Sequence, residues 1–215
     1  MPRPAAADRE PYDAQALAEI AMTVFADRGY EGSSLEDIAR AAGIAKSSIY
    51  HHVAGKEELL SLGLQRGFRG LFEVVEETLA RDEPAIAQLR YLISRCVEGA
   101  ILDRAGVTVL LTLKGSTETE AWARAEMDRF MADMQRLVQQ AIDDGDLRDN
   151  VDPVDLVRLM VGMVSSLTTW FTVEDLDVDR LQNAIDTIVF TGLTSASGRR
   201  RRARTRSSTV VSLRR

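Results

Sequence analysis

The sequence predicts an all-α protein: a small N-terminal three-helix unit followed by a larger helical region. Three observations carry this. Apolar residues recur at three- and four-residue spacing throughout, and no sustained apolar–polar alternation marks a strand. Near the N-terminus, Ala42-Gly43-Ile44 interrupts two short helical stretches with a tight glycine turn.

Taken in chain order, the first helix spans about 12–28, with Leu17, Ala21, Val24 and Phe25 on one face and Ile20 at its margin. Gly29 ends it, since a left-handed backbone costs glycine little. Ser34 announces the next helix: its oxygen can accept an early helical N–H, and Asp37 sits near the positive helix end. Leu35, Ile38 and Ala39 give that helix its buried face. A short segment follows from about 45 to 53, and Gly55 separates it from a long helix starting near Lys56. Asp82-Glu83-Pro84 opens a helix to about 100, with Pro84 at or near the first helical position. The segment 101–115 is ambiguous. Further helices are expected over about 117–144, from Asp152-Pro153 to about 171, and over 178–194. The last twenty or so residues hold few large apolar side chains and are expected to be disordered.

Composition sets outer bounds. Of 215 residues, 45% are hydrophobic and 28% charged, which suits a globular chain. No apolar run approaches the roughly 18–20 residues a spanning helix needs, and the N-terminus lacks the apolar core of a secretory signal. Cys96 is the single cysteine, so an internal disulfide framework is excluded. A cytoplasmic protein without a membrane partner is expected. Enzyme chemistry finds no foothold: the two histidines, His51 and His52, have no metal-ligand spacing around them, and no phosphate-binding glycine motif occurs. No cofactor and no metal are expected.

The net charge of −6 argues against nucleic acid until its distribution is read. Residues 199–215 hold eight arginines and no acid, which leaves the rest of the chain near −14. Within that acidic body, 38–56 carries Arg40, Lys46 and Lys56 and no carboxylate. Such an island favours one defined dock on a phosphate backbone over general coating. The arginine tail could add a salt-sensitive, sequence-blind attraction.

Two short helices joined by a glycine turn make a helix-turn-helix when their packing faces agree. Ala39 supplies a small residue at the crossing, Gly43 the turn, and Ile44 and Ile49 the plug. Lys46, Ser47, Ser48, Tyr50 and His51 remain outward, short or donor-rich groups suited to phosphates and base edges. His52 packs or faces solvent.

The blocks Phe25-Ala26-Asp27-Arg28-Gly29-Tyr30, Ser34 to Ala39, Ala42 to His52 and Lys56 to Leu60 together resemble the N-terminal signature of the TetR family of transcriptional regulators. The likeness covers about 17–60 in unbroken order and departs at Val53, where the family usually has phenylalanine. It implies an N-terminal helix-turn-helix DNA-binding domain over 1–55, a C-terminal helical ligand-binding and dimerisation domain over 56–195, and an Arg-rich tail over 196–215. It also implies that Ser34, Tyr50 and Lys56 contact phosphates, while Lys46, Ser47, Ser48 and His51 lie at or near base edges. The implied partners are a near-palindromic double-stranded DNA operator, a second copy of the chain and a small-molecule effector that releases the DNA. Repression is the commoner mode in the family.

The C-terminal helices are less informative. Tyr91, Arg95, Trp122, Phe130, Met163 and Trp170 are candidates for the effector pocket, although methionines and aromatics at helical spacing are more often core. Val161, Val164, Leu167, Ile185, Ile188, Val189 and Leu193 are candidates for the dimer seam. Trp170-Phe171, a short acidic loop and then Leu176 and Leu181 are similar to a stretch in regulators that respond to acyl- or aryl-CoA thioesters.

Overall fold

A computed structural model describes residues 12–114, 117–171 and 177–192. The arginine tail, Leu193 and the acidic loop with Leu176 therefore lie outside the described residues. The elements are α1 (Ala14–Arg28), α2 (Leu35–Ala42), α3 (Lys46–Ile49), α4 (Lys56–Leu79), α5 (Ala85–Leu102), α6 (Arg104–Thr112), α7 (Glu118–Asp143), α8 (Pro153–Trp170) and α9 (Val178–Asp186), with a π-helical turn over Thr187–Thr191. No strand occurs among the described residues. The chain divides at Val178 into a unit carrying α1–α8 and a short one beginning at Asp179.

Side-chain caps set most of the helix starts. Asp13 accepts from Ala16 N at 2.7 Å, so α1 begins at Ala14, two residues later than the apolar pattern implies. Ser34 and Asp37 form a reciprocal capping box on α2, and Thr117 and Glu120 form another on α7. On α8 the cap is Asp152, with Pro153 in the first turn. Gly43 (φ 66°, ψ 30°) ends α2 in the left-handed region, where a side chain would be strained.

The structure refines the sequence reading at four places. Pro84 is extended (φ −54°, ψ 147°) and caps α5 from outside the helix. Regular helix in α3 stops at Ile49, and residues to Val53 continue in tight turns, with His51 N bonding Ser48 O and His52 N bonding Ile49 O. The ambiguous 101–115 segment contains α6. Asp103 breaks it from α5 with a non-helical backbone, then caps it by accepting from Gly106 N at 3.0 Å. The last helix, expected over 178–194, widens into the π turn after Asp186 within its described part.

Packing explains why these short helices hold together. Three helices of this size bury too little surface to be stable alone. Leu17, Phe25, Ile38 and Ile49 share one core with Leu59, Leu60, Leu64 and Phe68 of α4, Val109 of α6 and Ala123 of α7. The turn at 55/56 is therefore a bend in the chain and not a gap in the core. α1 lies against both α4 and α6. α1 and α4 come close at Gly63, where an added Cβ would sit 2.5 Å from Met22 Cγ. Phe25 is fully buried at the centre of this arrangement. Its replacement in Phe25→Ala is expected to cost about 3–5 kcal/mol, read as a lower denaturation midpoint at unchanged slope.

Candidate nucleic-acid interface and effector cavity

The outward side of α3 is what its sequence pattern predicts. Ile49 points inward and is fully buried, while Ile44 is half-buried against the same core. That anchoring leaves Lys46, Ser47 and His51 exposed, Ser48 half-buried and Tyr50 55% exposed. A tyrosine so placed offers a hydroxyl and a ring edge to a partner instead of filling the core. His52 faces solvent.

Two of the expected phosphate contacts are engaged within the protein. The Ser34 hydroxyl donates to Asp37 Oδ2 at 2.6 Å and accepts from Asp37 N at 3.2 Å, so its one proton is already committed. The Lys56 ammonium donates to Tyr30 O at 2.9 Å and Ser33 O at 3.3 Å, and it lies 4.3 Å from the Tyr30 ring centroid. These two residues sit at the start of α2 and of α4, whereas Lys46, Ser47, Ser48, Tyr50 and His51 are grouped on and just after α3.

Asp37 also neutralises part of the basic island. It pairs with Arg28 at 2.8 Å and with Arg40 at 3.2 Å. Its carboxyl lies below the ordinary carboxylate value, chiefly through the Ser34 hydroxyl and then the Ser34 backbone N–H, with the two guanidinium charges adding to this. Tyr30 is pushed the other way, up to about 12, by burial and by Glu57, Glu31 and Glu120, so its phenol stays protonated.

A cavity of about 650 Å³ lies among α4, α5, α6, α7 and α8, within the range that holds small-molecule ligands. Its wall is largely apolar, including Leu71, Val74, Ile93, Val107, Met134 and Met160. Arg66, Arg95 and Arg124 bring cations to the lining, Glu73, Glu77, Glu98, Asp103 and Glu120 acids. Arg66 pairs with Glu19 and Arg95 with Glu98, and Arg95 Nε is buried without a hydrogen-bond partner. The Glu120 carboxylate is buried and accepts from Lys114 N and Thr117 N. Cys96 also lines the cavity, and burial pushes its thiol up to about 12, which leaves it an uncharged apolar filler.

Of the pocket candidates, Arg95 and Phe130 reach the cavity. The others lie elsewhere. Tyr91 stacks under Arg81 at 4.2 Å, and Trp122 meets Phe68 edge-on at 5.5 Å. Met163 lies half-buried on α8, and Trp170 is 80% exposed at its end. Of the seam candidates on α8, Val161 and Val164 line the cavity and Leu167 is buried within the protomer, while the exposed apolar groups of this helix include Leu159 and Trp170. The pitch of a helix apolar on two sides does not say which side meets its own protomer.

Sequence reasoning missed the walls supplied by α4 and α6. A signal was available in Gly63, Gly67 and Gly70, which repeat at helical spacing in α4 and all line the cavity. Glycine within a helix costs about 1 kcal/mol relative to alanine, so such a run marks a face where space is needed. Arg104 was also missed. From the start of α6 it donates to Thr168 O at 3.1 Å and Phe171 O at 2.8 Å, satisfying carbonyls at the end of α8.

Comparison with known proteins fits this layout. Residues 17–61 match the family described as "Bacterial regulatory proteins, tetR family", and 82–193 match "Tetracyclin repressor-like, C-terminal domain". The chain belongs to the TetR family. One relative of this TetR-family chain is the HTH-type transcriptional repressor KstR2 of Mycobacterium tuberculosis, 30% identical over 73% of this chain and 78% of that protein. A crystal structure of a TetR-family member from Streptomyces coelicolor A3 is 36% identical, with a TM-score of 0.77 over 87% of this chain and 94% of that one. AibR, solved with isovaleryl coenzyme A and operator DNA, is 26% identical, with a TM-score of 0.71 over 82% of this chain and 97% of its own. Among the described residues, no group of acids, cysteine and histidine could hold a metal ion, and no helix is long and apolar enough to cross a membrane.

The depressed Asp37 carboxyl gives a pH prediction. Its contribution to stability is fully present above the unfolded-state pKa of about 4 and is lost as pH falls through the lower folded value. The stability gap between wild type and Asp37→Asn should be constant from pH 7 to about 5 and should close below about 4, as followed by urea titration at each pH.

Proposed function

We propose that this chain is a cytoplasmic, homodimeric, ligand-released transcriptional repressor that reads a near-palindromic DNA operator. The observation that carries the reading is the exposed, acid-free face of α3 held on a buried Ile49. In this reading Lys46, Ser47, Ser48 and His51 meet base edges, Tyr50 meets phosphate, and Ser34 fixes the first turn of α2 against the backbone. Residues 1–55 act as the DNA-binding part and 56–195 as the ligand-binding and dimerisation part. Two-fold symmetry would set two α3 segments about 34–36 Å apart in successive major grooves.

The effector proposed is an acyl- or aryl-CoA thioester. An apolar wall suits the acyl group, at about 0.8 kcal/mol per buried methylene. The partly exposed Arg66, Arg95 and Arg124 supply cations for an anionic carrier. The AibR complex with isovaleryl coenzyme A supports the same class. Release follows by linkage if the thioester binds better to a conformation whose two α3 segments no longer match the grooves.

The test begins with a duplex selected by the wild-type protein from a random-sequence pool. Tyr50→Ala and Lys46→Ala should each lower affinity for it about tenfold or more, with helix content and dimer mass unchanged; full affinity in both variants rejects the placement. Isovaleryl-, palmitoyl- and benzoyl-CoA, with free CoA as control, are then titrated into the complex. Dissociation by a thioester and not by free CoA is expected. No response to any thioester removes the effector reading and leaves DNA binding standing.

A further inference from the structure

Lys56 stands at the first position of α4, yet its ammonium reaches back across 26 residues to the turn that precedes α2. That turn is tightly stitched. Ser33 is buried, its hydroxyl donates to Gly29 O at 2.7 Å and its N–H to Tyr30 O at 3.3 Å. Tyr30 packs edge-on against Phe25 at 5.2 Å, and Gly29 turns the chain with φ 77°. Into this frame Lys56 donates two of its three N–H bonds, to Tyr30 O and Ser33 O, while its charge rests on the Tyr30 ring. A charge-assisted bond to a half-buried carbonyl is stronger than a neutral one, and two from one ammonium fix both its position and the turn's.

We propose that Lys56 is a positioning residue: it pins the start of α4 to the turn before α2 and so sets how α2 and α3 are presented, in place of contacting phosphate itself. The proposal rests on the DNA-binding reading above and adds a division of labour within it. Lys46 contributes charge to the DNA backbone or bases, whereas Lys56 contributes geometry. Since α4 also lines the cavity from Gly63 to Glu77, the same clamp joins the cavity wall to the start of the DNA-reading unit.

Salt dependence separates the two roles, because each lost phosphate contact flattens the plot of log K against log salt by about 0.9. With the full-length protein and the selected duplex, Lys56→Met should bind at least tenfold more weakly with the wild-type slope. Lys46→Met should bind more weakly with a flatter slope. Amide exchange at 33–38 should quicken in Lys56→Met, while that of 17–25 stays as in wild type. Tyr30→Leu keeps the carbonyls and removes the ring, so it should weaken binding at unchanged slope and add little in the Lys56→Met background. If Lys56→Met does not fold, Tyr30→Leu alone carries the test, and full affinity in it overturns the proposal. A flatter slope or full affinity in Lys56→Met, additive effects in the double variant, or equal quickening over 17–25 also overturns it. A wild-type protein that enriches no duplex overturns the DNA-binding reading instead.

Discussion

The seam between α1 and α4 is the contact on which the rest of the molecule depends. The three N-terminal helices contribute Leu17, Phe25, Ile38 and Ile49 to a core that is completed by Leu59, Leu60, Leu64 and Phe68. Gly63 lets α4 come close enough to meet Met22, and the same stretch of α4 forms part of the cavity wall. Close-packed interfaces transmit displacement and do not absorb it. A displacement of α4 would therefore be passed to the core that it shares with α1, α2 and α3.

Electrostatics sharpen this surface by subtraction. Arg28 and Arg40 are drawn onto Asp37, and Lys56 onto backbone carbonyls. Lys46 is left exposed beside Ser47 and Tyr50, on a body whose net charge is otherwise acidic. Within 38–56, so few free cations on an acidic body favour a well-fitted contact over loose attraction by this face.

The cavity is built on a different principle. Glycines in α4 make room, apolar side chains fill its wall, and three of its ionisable groups have partners inside the protomer: Glu120 in backbone N–H groups, Arg66 in Glu19 and Arg95 in Glu98. Arg104 then ties α6 to the end of α8. α6 thus touches α1, the cavity and α8 within nine residues, which makes this short helix a junction between the cavity and the N-terminal helices.

The sequence by itself determined the helical class, the helix-turn-helix and its outward face. Those features are local: the capping pair Ser34 and Asp37, the left-handed Gly43 and the inward Ile49 each follow from residue type and spacing. It did not determine the cavity wall: of the six pocket candidates, Arg95 and Phe130 line it and the other four lie elsewhere. Only the tertiary structure decided which face of α8 turns inward, since both of its sides are apolar and periodicity cannot choose between them. It alone brought Arg104 to the end of α8, a partner more than sixty positions away. The same holds for Lys56. A lysine at the start of a helix reads in sequence as a free charge, and the carbonyls that claim it come into reach only once the chain has folded back on itself.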